Sequence, residues 1–331
     1  MKIFIVKIII LICLVFLFQI FLHWKFETLK KNPTAIKQLE SVLSEKPSII
    51  FFGDSTINFV HPKDKSIQST TEMLVSKLPN QKIIAIRHDA YDLRVYNAYT
   101  NHLVKTKTIK YLVVPINLRS FGYNWETTVP YQFNELRTYL STYRTPFYTF
   151  IPFLENLKFF DLFKYPVSQA YYDKSVKAEI KQLESENLKD RRLKELLILD
   201  YMYLLKKDNY KLKQISEIID RTNQTNIIPI FYITPIDYQY AGVINPRFVE
   251  YSSRNIELIK TTLSHKKSCL LDLSYSLKTS DFSWQPSGLV NEHLNEIGRE
   301  FIASRLAETI SEIETGKNPK NCTLKTDTIS K

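Results

Sequence analysis

Five short apolar runs, at 48–52, 82–86, 111–116, 227–233 and 269–273, punctuate the body of the chain, with longer stretches of helical spacing between them. Their Ile, Val, Leu and Phe residues run continuously rather than alternating with polar ones, as in strands buried on both faces of a parallel sheet. The pattern predicts an α/β class protein, three layers α/β/α around a five-stranded parallel sheet. About 110 residues separate the third run from the fourth, too many for a plain crossover, so a helical cap insertion is expected over about 122–224.

The amino-terminal pattern differs. Residues 3–22 are apolar except for Lys7 and Gln19, and His23-Trp24-Lys25 follows. About 20 such residues can span a bilayer as one helix, and no small-residue cleavage site follows. This reads as one N-terminal transmembrane helix, an uncleaved signal anchor over 1–24, with membrane lipid as its partner through residues 3–22. A polar stalk over 25–46, a body over 47–316 and a frayed polar tail over 317–331 complete the organisation. The expected location is a single pass of the inner (cytoplasmic) membrane, with the body facing the periplasm or cell exterior.

Composition narrows the chemistry. The chain has 331 residues and a formal charge of +11, but only 6 Gly, and neither glycine-rich nucleotide motif occurs. Cys13, Cys269 and Cys322 form no CxxC pair, and the six histidines are scattered, which argues against a disulfide framework, a zinc site or a metalloenzyme. No cofactor and no metal are expected. Lys189, Arg191, Arg192 and Lys194, with Lys206, Lys207, Lys211 and Lys213, interleave with Asp190, Glu195 and Asp208 and read as solvated helix faces. Nothing resembles a nucleic-acid module.

The first apolar run ends in Gly53-Asp54-Ser55, ahead of a helix. A hydroxyl there sits beside free backbone N–H groups that can stabilise an oxyanion. The third run leads into Asn117. Near the carboxyl end, His293-Leu294-Asn295 with Gly298 precedes the last helix. These three blocks, in order over roughly 47–310, resemble the SGNH (GDSL-like) hydrolase superfamily, which implies an SGNH/flavodoxin-like sheet. The resemblance further implies Ser55 as nucleophile, His293 as general base, and Asn117 as oxyanion donor with the Ser55 N–H. Two departures stand out. Val290 occupies the family's aspartate position three before the histidine, so the base's orienting partner is open among Asn291, Glu292 and Asp281. The second block lacks its glycine, leaving an Ala90 or Tyr91 N–H for the oxyanion, with Asp54 and Arg119 also at the substrate approach. His88 and Asp89 rank behind His293 as an alternative base and acid.

The resulting expectation is a serine esterase or O-acyltransferase acting on O-acyl groups of a cell-envelope or extracellular polysaccharide, with envelope acylation or export partners. The alternative is a catalytically impaired protein of the same fold that binds glycan or scaffolds a polysaccharide assembly.

Overall fold

The computed structural model describes residues 2–26, 34–145, 148, 171–183, 188–264, 266–283, 292–320 and 322–324. The chain divides into two compact units, Met1–Glu40 with Phe133–Tyr165, and Ser41–Gln132 with Pro166–Lys331.

The larger unit holds the sheet. Strands β1 (Ile49–Gly53), β2 (Ile83–Arg87), β3 (Tyr111–Ile116), β4 (Ile228–Ile233), β5 (Ser268–Asp272) and β6 (Cys322–Thr323) lie in the order β2-β1-β3-β4-β5-β6. The first five pair in parallel, as their unbroken apolar runs require; β6 pairs antiparallel with β5. The expected five-stranded parallel sheet is thus corrected to a six-stranded mixed one. A two-residue strand in a polar tail has no hydrophobic run to announce it.

Strand alternation sorts the core into two layers. Ile49, Phe51, Val113, Ile230 and Leu271 pack on one face with Leu74 from the helix Thr70–Lys77 and with Ile302, Leu306 and Ile310 from the helix Glu296–Glu314. From the next register position of β1, Phe52 stacks on Tyr96 of the helix Leu93–Leu103 at 5.1 Å. That helix packs against the helix Tyr210–Asn223.

Cys269 and Cys322 face each other across β5 and β6 and form a disulfide. This corrects the reading of unpaired cysteines: motif spacing does not register a pairing created by the meeting of distant strands. The bond closes a separation of 53 residues. Cys13 is free and exposed.

In the smaller unit, a helix covers Lys2–Phe26. Among the described residues, however, no helix is long and apolar enough to cross a membrane. The expected single-pass membrane location is therefore corrected.

Candidate active site

Ser55 lies where β1 turns directly into the helix Ser55–Asn58. Asp54 caps that helix by accepting from the Thr56 N–H at 2.8 Å and the Thr56 hydroxyl at 2.6 Å. Gly53 lets Ile57 pack directly against the strand end: a Cβ there would lie 1.9 Å from Ile57 Cδ1 and would force that side chain to move. Sequence and packing together push the Ser55 side chain to the sheet's carboxyl edge, where ligand crevices of such sheets form.

His293 reaches the same place from the other end of the chain. Its carbonyl accepts from the Ser283 N–H at 2.9 Å, and Asn295 then caps the last helix. Gly298 allows that helix to close on the loop, because a Cβ there would lie 2.6 Å from the Asp281 carbonyl oxygen. Arg299, fully buried, fixes the neighbouring 64–68 loop through Asp64, Ser66 and Gln68. His293 Nε2 stands 3.1 Å from Ser55 Oγ, and the imidazole packs on the Phe59 ring at 4.8 Å. Burial, aided by the Arg119 guanidinium, lowers the imidazole's pKa from 6.5 to about 4. At neutral pH it is uncharged and able to accept the serine proton.

Asn117 directly follows β3 and caps the turn Leu118–Phe121. Its amide donates to Asp54 Oδ2 at 3.2 Å and to Glu292 Oε2 at 3.1 Å, while its Oδ1 accepts from the Arg119 N–H at 2.9 Å. In this state its amide hydrogens serve carboxylates. Glu292, fully buried, also takes the Arg119 guanidinium at 2.9 Å and the Tyr201 hydroxyl. Burial raises its pKa against the pull of Arg119.

The three proposed orienting partners of His293 separate accordingly. The Glu292 carboxylate serves Asn117, Arg119 and Tyr201. That of Asp281 takes the Lys278 N–H and the Ser280 hydroxyl. Asn291 lies outside the described residues.

At the missing glycine of the second block, Ala90 adopts φ +65°, the left-handed conformation that glycine favours. Ala90 borders the cleft; Tyr91 does not, its ring being buried against His88 at 5.2 Å and its pKa pushed up to about 12 by that burial. His88 Nδ1 lies 2.9 Å from the Asp89 carbonyl oxygen.

The cleft measures about 920 Å³ and is bordered by Ser55, His293, Phe59, Asp89, Ala90, Arg119, Asn124, Trp125, Tyr131 and Asp200, among others. Sequence reasoning missed Asp200, Asn124 and Tyr201, which lie in the insertion with no motif to mark them. Asp200 accepts from the Asn124 amide at 3.1 Å, and burial raises its pKa from 3.8 to about 7. Among the described residues no group of His, Cys, Asp and Glu is placed to hold a metal ion.

Residues 53–55, Asn117 and His293 thus converge at one sheet edge. No protein-family model matches the chain, and no curated protein matches it. Among solved structures it is similar to a variant of an acetyl xylan esterase from Geobacillus stearothermophilus, with 11% identity, a TM-score of 0.40, and coverage of 80% of this chain and 94% of that one. It is also similar to an alpha/beta hydrolase enzyme from the metagenome of Lake Arreo, Spain, with 13% identity, a TM-score of 0.35, and coverage of 80% and 93%.

Proposed function

We propose that this chain is a serine esterase or O-acyltransferase that acts on O-acylated sugar through an acyl-enzyme. The observation that carries the reading is the 3.1 Å approach of Ser55 Oγ and an uncharged His293 Nε2 at the wall of an open cleft.

The Ser55 oxygen attacks the acyl carbonyl carbon as its proton passes to Nε2. The carbon–oxygen bond to the sugar then breaks, and the sugar oxygen takes that proton from the imidazolium. Water or a second hydroxyl, deprotonated by the same nitrogen, attacks the acyl-serine; the bond to Ser55 Oγ breaks, the serine oxygen takes that proton back from the imidazolium, and an acid or a new ester leaves. The Ser55 and Ala90 backbone N–H groups are the assigned oxyanion donors; the left-handed turn at Ala90 performs the role that a glycine has in similar proteins. Asn117 acts as a positioning residue in this reading, tying Asp54 to Glu292. The polysaccharide part of the proposal draws on the acetyl xylan esterase named above.

The test is labelling of the full chain by a fluorophosphonate, together with turnover of p-nitrophenyl acetate. Both are expected in the wild type, and Ser55→Ala is expected to abolish labelling and lower turnover at least about 1,000-fold. A folded wild type that neither labels nor turns over would leave the alternative, a glycan binder with an impaired site.

A further inference from the structure

We propose that the part of the cleft formed by Asn124, Tyr131 and Asp200 is a subsite for a neutral sugar, and that it discriminates against uronic acids. The inference rests on the esterase reading above and specifies what the alcohol side of the ester must be.

Size comes first. A cleft of about 920 Å³ lies at the upper end of the range that encloses whole small ligands, about 300–1,000 Å³. A short acyl chain beside Ser55 would leave most of it to the alcohol.

The wall chemistry then selects that alcohol. The Trp125 and Tyr131 rings stack at 4.7 Å and 27°, and the Arg119 guanidinium lies 5.1 Å from the Trp125 centroid. Trp125 is 8% exposed and Tyr131 36%, so the Tyr131 ring is the aromatic surface open to a ligand. Beside it are an amide and a carboxyl, Asn124 and Asp200, joined by a single hydrogen bond through Asp200 Oδ1. An aromatic surface next to convergent hydrogen-bonding groups suits a pyranose, which has apolar C–H faces and a rim of hydroxyls.

Charge decides between sugar classes. Among the described residues, the bordering basic side chains are Arg119 and His293. Arg119 already meets Glu292 at 2.9 Å, and His293 is uncharged at neutral pH. The bordering acids, among the same residues, are Asp89 and Asp200. Among the described residues, a uronate would therefore meet two acidic side chains, with the one bordering guanidinium already paired to Glu292, whereas a neutral ring meets no like charge.

The test is calorimetric titration of the full-length Ser55→Ala protein with cellotetraose, chitotetraose and tetragalacturonate. A neutral tetrasaccharide is expected to bind at least about tenfold more tightly than tetragalacturonate. Adding Tyr131→Ala, or separately Asp200→Asn, is expected to weaken that binding about tenfold, with melting temperatures confirming that each variant folds. Tighter binding of tetragalacturonate, failure of both neutral sugars to bind, or unchanged binding in both variants would overturn the proposal. Turnover of p-nitrophenyl acetate by the wild type reports separately on Ser55 and His293. Sugar binding without turnover would sink the esterase reading alone, and turnover without sugar binding would sink this subsite alone.

Discussion

Two clusters of buried charge lie in the larger unit, and they are built on opposite terms. The first joins Asp92, Arg94, Glu126 and Lys211, all nearly inaccessible. Lys211 Nζ stands 3.0 Å from Asp92 and 2.7 Å from Glu126, and Arg94 is 2.6 Å from Asp92. Two acids face two bases. Burial alone would raise Asp92, but Arg94 and Lys211 outweigh it and hold its pKa below the ordinary carboxylate value. The second cluster, at the candidate site, sets Asp54, Glu292 and Asp200 around Arg119. Three acids share one guanidinium, and two of them, Glu292 and Asp200, have raised pKa values. The balanced cluster fastens helices together; the unbalanced one keeps proton affinity in reserve beside the reactive pair. Perturbed titration of this kind concentrates where chemistry is done.

The largest expected effect comes from breaking the balanced cluster. Lys211→Met would leave two buried carboxylates with one base, and should cost about 3 to 5 kcal/mol in chemical unfolding. Glu126→Gln should also cost more than Glu292→Gln, because the latter relieves an excess of acid; equal losses would erase the distinction between the clusters.

The next effect is on the pH dependence of stability. Folded Asp200 holds a proton between its unfolded pKa of 3.8 and about 7, so its contribution is lost as pH rises through that window. Folded His293 is deprotonated above about 4, whereas the unfolded ring titrates at 6.5, so its contribution grows from about pH 4 to 6.5. The two oppose each other in the wild type. In Asp200→Asn, the melting temperature should climb from pH 4.5 to 6.5 more steeply than in the wild type.

A lesser change should appear in catalysis. With the base titrating near 4, kcat/KM for p-nitrophenyl acetate should keep its plateau well below pH 6.5. An acid limb centred at the ordinary histidine value would contradict the buried imidazole. The smallest effect is expected at Ala90, where glycine would relieve the left-handed strain at some cost in unfolded-chain entropy. The melting temperature should shift by the equivalent of about 1 kcal/mol or less.

The five parallel strands were legible because unbroken apolar runs admit few other structures. Ser55, Asn117 and His293 were legible because short motifs hold them at strand ends and before a helix. Lys211 was not. In sequence it belongs to an apparently solvated basic face, yet it is fully buried, with its partners Asp92, Ser120 and Glu126 all far away along the chain. Asp200 was hidden for the same reason: its elevated pKa comes from burial and from Glu292, neither visible in its local sequence. The N-terminal run illustrates the reverse limit, since hydrophobicity specified a helix over Lys2–Phe26 but not a membrane span.

The bond between Cys269 and Cys322 makes a closed covalent ring of the segment carrying His293 and the last helix. A protease nick anywhere from 270 to 321 would leave both fragments on one molecule, with the imidazole still tethered to the sheet that presents the serine. Only when a reductant accompanied the nick could the carboxyl-terminal piece diffuse away, so backbone cleavage and loss of the base would become separable events.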